Sequence, residues 1–386
     1  MLPALALLPP SAALLTHIVP LMPKTHAFPL SLALSLALAA CAEGGADPAG
    51  PTPGDSVPAA PADTLFRGFG LSPSGFPLDF NKIEAFFAEV GSFPGGAVMQ
   101  NGPWRDDVVG GSDAGTIPAA HRAVMDRAGS HGYTPIAVFG WRGEAGNFLT
   151  MPGDATNDWT SPTARSAFLS MIADFAATYR PPYIFLGNES DFYFEEDPVD
   201  YGRWLDVYHD AYAAIKAASP ATRVGPVFNF EHLAGVGGLN QWTVPHWGAL
   251  DQHDFTRVDV VGLTLYPWFG HARAAEIPAD YLAPLLSRIA GTPLAITETG
   301  WPAENLVGSP LPWEVGEGEQ VDYAQRLSSV LSGAQLEFVN WLFLNAMAVS
   351  SSSPDSHKIF GSISIRSASG AKRPIYDLWA NWAPAS

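Results

Sequence analysis

Two glutamates stand where apolar segments of the sequence end, and such carboxylic acids could do chemistry together. Glu189 closes the segment that starts at Tyr183, and Glu298 closes the segment that starts at Leu294. A carboxylate is costly to hold beside a core unless it has a partner or a function. Either glutamate alone is explained equally well by a structural ion pair or a helix cap. As a pair, they have the groups that cleave a glycosidic bond, which needs one carboxyl group to protonate the leaving oxygen and another to attack the anomeric carbon.

Eight apolar runs of strand length would position these groups. They cover residues 66–71, 96–100, 135–141, 183–189, 223–229, 258–266, 294–298 and 338–345. Each run is followed by a helical pattern or a long loop. Ser161 with Pro162 and Asp197 with Pro198 are typical of helix starts.

Apolar strands that alternate with helices indicate a parallel sheet covered by helices. Eight repeats in roughly 320 residues favour a single (β/α)8 TIM barrel, in which the active site lies at the carboxyl ends of the strands. Glu189 would follow strand four and Glu298 would close strand seven, on facing sides of the barrel. No glycine-rich phosphate motif follows any strand, which counts against a nucleotide-binding open sheet.

The motifs around both glutamates resemble those of a known group of enzymes. Gly-Asn-Glu at 187–189 and Glu-Thr-Gly-Trp-Pro at 298–302 are similar to the paired motifs of glycoside hydrolase clan A, whose members retain the anomeric configuration. The resemblance implies that Glu189 is the acid/base and Glu298 the nucleophile. It also implies that Asn188 donates to the sugar hydroxyl next to the anomeric carbon.

The segment 259–268 resembles the sixth strand of the same clan, and this implies that Tyr266 hydrogen-bonds the nucleophile. Within the clan the motifs look most like those of arabinogalactan endo-β-1,4-galactanases of family 53, with some likeness to β-1,3-glucanases. Many clan members hold an arginine in strand two near the nucleophile. This sequence has none there, and Arg67 or Arg105 would take its place.

Tryptophans at or near the strand ends are candidates for sugar binding, because the apolar C–H faces of sugars stack on flat rings. For any one of them, packing in the core is an equally good explanation. The resemblance to clan A favours Trp341 as the platform beneath the cleaved sugar. The other candidates are Trp141, Trp268 and Trp301, and Trp104 lies near the same edge.

The sequence shows no metal-binding spacing of histidines, so we predict no metal and no cofactor. His232, which follows strand five, is interpreted as a hydrogen-bonded or surface residue rather than part of the cleft. The acidic run 195–197 could ligate calcium, although a solvated loop that leads into a helix cap explains it without a metal.

The first 63 residues differ in composition from the rest. Residues 28–40 form an apolar run preceded by Lys24, and Leu-Ala-Ala-Cys at 38–41 resembles the bacterial lipobox. We predict a lipoprotein signal over 1–40, an acylated Cys41 with a Pro/Ala/Gly-rich tether over 41–63, and a catalytic domain over 64–386. An ordinary cleaved signal is the alternative, and Met22 is an alternative start. Either signal places the protein in a bacterial cell envelope or outside the cell.

The formal net charge of −18 argues against nucleic acid as a partner, because such a surface repels phosphates. We expect a monomer that meets the membrane only through its lipid anchor. The predicted activity is endo-acting, retaining hydrolysis of β-linkages in a neutral polysaccharide, β-1,4-galactan, arabinogalactan or β-glucan. A transglycosylase on the same scaffold and a non-catalytic carbohydrate-binding lipoprotein are the alternatives, and a lyase or metal hydrolase is less well supported.

Overall fold

A computed structural model describes residues 66–103, 117–140, 158–289, 291–306, 308 and 311–385. The predicted signal, Cys41 and the tether lie outside these residues, as do Trp104, Arg105 and Trp141. Among the helices of the described ranges, none is both long and apolar enough to cross a membrane.

Nine strand segments form one parallel sheet. They are β1 (Phe66–Gly70), β2 (Gly96–Pro103), β3 (Thr134–Gly140), β4 (Tyr183–Leu186), β5 (Arg223–Gly225), β6 (Val227–Asn229), β7 (Val261–Leu265), β8 (Leu294–Thr299) and β9 (Leu336–Phe343). Their order in the sheet is β5-β4-β3-β2-β1-β9-β8-β7-β6. All eight predicted runs are therefore strands.

The two edge segments of this sheet are consecutive in the chain. Only Pro226 separates β5 from β6, and proline has no N–H to donate to a ladder. β5 pairs with β4, whereas β6 pairs with β7. The predicted fifth strand thus bends at Pro226 and joins both edges, so the sheet is a nearly closed barrel. The prediction of a (β/α)8 barrel is confirmed.

Helices follow most of the strands. They are α1 (Ile83–Gly91), α2 (Ala119–His131), α3 (Pro162–Tyr179), α4 (Ser190–Glu196), α5 (Pro198–Ala218), α6 (Phe230–Ala234), α7 (Gly248–Asp251), α8 (Ala283–Leu286), α9 (Glu317–Val330), α10 (Asp355–Phe360) and α11 (Ile375–Ala380). Short 3-10 turns lie at Gly238–Asn240, Phe255–Arg257, Pro267–Phe269 and Ala274–Glu276.

The two predicted helix starts are confirmed. The Ser161 hydroxyl accepts a hydrogen bond from the backbone N–H of Ala164 at 3.1 Å and begins α3. Asp197 accepts from the backbone N–H groups of Val199 at 3.1 Å and Asp200 at 2.9 Å and begins α5. Each cap satisfies N–H groups that have no partner within the helix.

Apolar side chains fill the barrel from its amino-terminal end. This inner cluster consists of Ala97, Met99, Ile136, Val138, Tyr183, Phe185, Val227, Val260, Ala295 and Phe338. A second and larger cluster lies between the strands and the surrounding helices. The polar site described next lies at the opposite, carboxyl end, where this packing stops.

Candidate active site

A tight turn after β4 places Glu189. The strand ends at Leu186, and the backbone enters the left-handed region at Gly187, with φ of 82°. A Cβ atom at Gly187 would lie 2.5 Å from the Ser190 hydroxyl, so the turn requires glycine there. Glu189 has a φ of 51°, which is unfavourable for a side chain of this size. Backbone strain of this kind concentrates at functional sites.

The Glu189 carboxyl group is buried and asymmetrically bonded. Its Oε1 accepts hydrogen bonds from Asn229 Nδ2 at 3.0 Å and from Thr264 Oγ1 at 2.7 Å. Its Oε2 has no hydrogen-bond partner among the described residues, and the residue is only 2% exposed. Burial, and then the nearby charge of Glu298, raise the pKa of Glu189 well above its usual value. Burial therefore favours the protonated form of this group, and one of its oxygens is available to a ligand.

Glu298 lies near the end of β8 and has a donor on each carboxyl oxygen. Tyr266 Oη donates to Oε2 at 3.0 Å, and Asn101 Nδ2 donates to Oε1 at 3.2 Å. Burial raises its pKa to about 7, although both donors favour the charged form and lower it. Of the two glutamates, Glu298 is the one that ionises first.

Thr264 is a neighbour of both carboxyl groups and shows that they lie close together. It is the register partner of Glu298 in the pairing of β7 with β8, and paired strands lie only about 4.8 Å apart. The same residue donates its hydroxyl to Glu189. Glu189 therefore reaches across the barrel to the strand beside Glu298, which agrees with the electrostatic effect of Glu298 on its pKa.

A third buried carboxyl group holds Tyr266. Glu231, in α6, accepts the backbone N–H of Tyr266 on Oε2 at 2.9 Å and the Tyr281 hydroxyl on Oε1 at 3.2 Å. Burial raises the pKa of Glu231 to about 8. Tyr266 is thus fixed at its backbone by Glu231 while its hydroxyl faces Glu298.

Two other predicted site residues, Asn188 and Tyr266, lie next to the glutamates. Asn188 is buried directly before Glu189, and the contact of Tyr266 with Glu298 is present as described above. Their roles toward a sugar stay predictions. Trp141 lies outside the described residues.

Three of the candidate tryptophans are buried, which agrees with the alternative explanation of packing in the core. Trp268, Trp301 and Trp341 are 0% exposed. Trp341 donates its Nε1–H to the carbonyl of Ile363 at 2.7 Å, and Trp301 packs on Tyr323 with ring centroids 5.1 Å apart. Trp268 packs on Phe269 at 4.1 Å. Because these rings are covered by other side chains, the described conformation has no free ring face for a sugar.

Arg67 does not take the place of the missing arginine. Its guanidinium donates to the carbonyl groups of Trp382 at 2.6 Å and Pro94 at 2.9 Å, and Pro94 precedes β2 at the amino-terminal end of the barrel. The donor from strand two is Asn101 instead. The predicted second strand ended at Gln100, three residues short of its end at Pro103, and so it left out Asn101.

Sequence reasoning also missed Asn229, Thr264 and Glu231. Asn229 is the last residue of β6, so the rule that strand ends carry the site points to it. Thr264 lies two residues before Tyr266, and alternation along a strand places both on one face. No signal of this kind marks Glu231, because its partners lie in distant segments of the chain.

The fold and this site define a parallel (β/α)8 barrel with two neighbouring buried carboxyl groups at its carboxyl end. No protein-family model matches the sequence, and no curated protein matches it. Solved structures do share the fold. A GH5_18 protein from Streptomyces cattleya in complex with GlcNAc is 16% identical with a TM-score of 0.59, and the match covers 83% of this chain and 82% of that one.

Two further structures show the same likeness. A GH5_18 protein from Bifidobacterium longum subsp. longum is 14% identical with a TM-score of 0.59, over 84% of this chain and 81% of that one. An exo-β-1,4-mannosidase from Opitutaceae bacterium strain TAV5 is 12% identical with a TM-score of 0.59, over 82% of this chain but only 59% of that one. At these identities the likeness shows the fold alone, a TIM barrel. The finer resemblance to galactanases and β-1,3-glucanases stays a prediction.

Proposed function

We propose that the protein is a retaining glycoside hydrolase that cleaves β-linkages in a neutral polysaccharide. The observation that carries this proposal is the pair of buried carboxyl groups around Thr264, of which Glu189 has its pKa raised further and Glu298 ionises first. Two carboxyl groups with separated pKa values have the acid and nucleophile roles that glycosidic cleavage needs. The solved structures of the same fold include an exo-β-1,4-mannosidase, which supports the class of reaction.

In the first step, Glu189 transfers its proton to the glycosidic oxygen while the Glu298 carboxylate attacks the anomeric carbon. The bond from that carbon to the leaving oxygen breaks, and a glycosyl ester of Glu298 forms. In the second step, the Glu189 carboxylate removes a proton from water, and the water oxygen displaces Glu298. Two inversions give net retention.

Hydrogen bonds orient both carboxyl groups for these two steps. Tyr266 and Asn101 hold the Glu298 oxygens, so the nucleophile has a fixed direction. Asn229 and Thr264 occupy only one oxygen of Glu189, so the other stays available to the leaving group.

For the substrate, we propose β-1,4-galactan, arabinogalactan or a β-glucan, cleaved internally, on the strength of the motif resemblance around residues 259–268 and 298–302. A neutral polymer also suits the net charge of −18, since a polyanion would be repelled. We propose in addition that acylation of Cys41 anchors the protein in the cell envelope.

The test is release of reducing sugar by the full chain from β-1,4-galactan, β-1,3-glucan, β-1,4-mannan and xylan. We expect activity on one polymer, with losses of roughly 10²- to 10⁴-fold in Glu189→Ala and at least as large in Glu298→Ala. Exposed Glu314→Ala is the matched control and should keep parental activity. NMR of the first product should show the retained anomer. Tight polymer binding without turnover would instead support a carbohydrate-binding protein, and inversion would overturn the assignment of Glu298 as nucleophile.

A further inference from the structure

A cluster of three potential metal ligands lies beside the site, outside the proposed catalytic groups. Glu195 comes from α4, His232 from α6, and His246 from the loop before α7. Their ligand atoms all lie within 4.8 Å of one another. His232 Nε2 is 3.1 Å from Glu195 Oε2, and His246 Nε2 is 3.9 Å from Glu195 Oε1. Both imidazoles therefore direct the same ring nitrogen at one carboxylate.

A buried aspartate fixes the orientation of His232. Asp191 Oδ2 lies 2.6 Å from His232 Nδ1, and both side chains are buried. Because a carboxylate can only accept, Nδ1 carries the proton and donates it. Nε2, the other ring nitrogen, then faces the Glu195 carboxylate at 3.1 Å. An aspartate behind a histidine is the usual support of a metal-bound imidazole.

The His232 ring is held between two other rings. Phe192 stacks on one face with centroids 4.0 Å apart and planes 20° apart, and His246 stacks on the other at 4.3 Å and 14°. Trp242 approaches edge-on at 5.4 Å. This packing excludes water from the His232 side of the cluster. The side chain of Glu195 is 55% exposed and that of His246 is 16% exposed, so an ion has access from solvent.

We propose that Glu195, His232 and His246 form a binding site for a divalent transition metal, and that Zn²⁺ is the ion it takes. Two imidazole nitrogens and one carboxylate oxygen are a common zinc ligand set, with bonds of about 2.0–2.2 Å. Ligand atoms of a tetrahedral site with such bonds lie about 3.3 Å apart, close to the 3.1 Å between His232 and Glu195. To complete the set, His246, whose Nε2 lies 3.9 Å from Glu195 Oε1, would move toward the carboxylate and tilt out of its stack on His232, with water as the fourth ligand.

The metal would connect the chain segments that follow β4 and β6, next to the proposed acid/base. Asp191 accepts the backbone N–H of Asn229 on Oδ1 at 2.7 Å, and the Asn229 side chain donates to Glu189. The ion therefore orders one wall of the active site and takes no part in bond cleavage. The sequence gives no spacing signal for it, because its ligands come from three separate segments.

The test uses the full chain after removal of metal by a chelator, titrated with ZnCl₂ in a calorimeter. We expect one zinc per chain, and at least tenfold weaker binding in Glu195→Gln and in His246→Gln. Glu196→Gln, at the next and also exposed position, and His271→Gln, a partly buried histidine outside the cluster, are the matched controls and should bind as the parent does. Zinc should also raise the melting temperature of the parent and of both controls more than that of the two ligand variants.

Co²⁺ provides a second measurement that does not depend on activity. The parent loaded with Co²⁺ should show the visible absorption of a tetrahedral site, and His246→Gln should lose it. Melting temperatures without metal establish that each variant is folded. The proposal is overturned if the parent binds no zinc, if both ligand variants bind zinc as tightly as the parent, or if Ca²⁺ binds more tightly than Zn²⁺. Lack of activity on the four polysaccharides would not affect these metal-binding results, so the two proposals can fail independently.

Discussion

Within the described part of the chain, Glu189 accepts two hydrogen bonds on one carboxyl oxygen and none on the other, whereas Glu298 accepts one on each. Both pKa values are raised by burial, but that of Glu189 is raised further by the charge of Glu298. The difference between two identical side chains thus comes from their partners. It assigns the proton to Glu189 and the negative charge to Glu298.

This order predicts a bell-shaped pH dependence of kcat/KM. Activity needs Glu298 ionised, so it rises as the pH passes the Glu298 pKa of about 7. It also needs Glu189 protonated, so it falls again at higher pH, where Glu189 loses its proton. The measurement is kcat/KM on the active polymer from pH 4 to 10. A rate that already declines between pH 5 and 7 would contradict the assignment.

Tyr266→Phe tests the donor on the nucleophile. The hydroxyl lowers the Glu298 pKa, so its removal raises that pKa and moves the acidic limb of the profile to higher pH. A hydrogen bond to a charged group contributes about 1.5–3 kcal/mol, so we expect kcat/KM to fall roughly 10- to 100-fold. Tyr183→Phe is the control, because its hydroxyl bonds Glu337 at the other end of the barrel. A loss of activity without displacement of the limb would show that Tyr266 acts only in packing.

At the scale of elements, β5 leaves no room for a side chain at its last residue. A Cβ atom at Gly225, the last residue of β5, would lie 1.6 Å from the carbonyl oxygen of Val260. Backbone cannot move that far without loss of the adjacent pairing. Glycine is therefore required where the chain bends into Pro226 and joins the two sheet edges.

Gly225→Ala should accordingly lower the free energy of unfolding by at least about 2 kcal/mol. Gly129, inside α2, is the matched control, since a Cβ atom there would meet nothing within 4 Å. Gly129→Ala should raise the free energy of unfolding by roughly 0.5–1 kcal/mol, because alanine loses less backbone freedom on folding. Urea unfolding of both variants measures the difference. Equal effects of the two substitutions would mean that the barrel closes less tightly than described.

The strands were predictable because apolar runs are local features of the sequence. The differences between predicted and observed strand ends have local causes too. The fourth run continues to Glu189, but the left-handed backbone at Gly187 ends β4 at Leu186, and Pro226 divides the fifth run. Strand ends also pointed to Glu189 and Glu298 as the candidate pair.

What could not be predicted depends on contacts between distant segments. Asn101 and Glu298 are 197 positions apart, and a sequence alone does not show that they meet. Burial of Trp301 and Trp341 is of the same kind, because it is decided by Tyr323, Trp379 and other side chains that pack on them. Strand-end position is a stronger indication of a site for carboxylates, which are costly to bury, than for tryptophans, which are ordinary core residues. The roles of both toward a sugar stay predictions.

At the scale of the whole molecule, three carboxyl groups of the described residues lie in the interior with raised pKa values: Glu189, Glu231 and Glu298. In the folded state these groups keep protons that the unfolded chain releases above its usual carboxyl pKa. The folded state thus binds more protons than the unfolded state in that range of pH. By linkage, these groups make the free energy of unfolding fall as the pH rises.

Glu231 is the group with which to test this, because glutamine imitates its protonated form: the amide oxygen can accept from the Tyr266 N–H, and the amide nitrogen can donate to Tyr281. Its pKa rises from 4.5 to about 8 through burial, so its cost develops between pH 4.5 and 8. Glu231→Gln should equal the parent near pH 4.5 and exceed it at pH 8 by up to a few kcal/mol, at about 1.4 kcal/mol per pKa unit. Urea unfolding at both pH values measures this, with exposed Glu314→Gln as the control that leaves the slope unchanged. If Glu231→Gln were instead less stable at pH 8 than the parent, the carboxylate would be contributing to stability, and the interior would have to supply it with a positive partner.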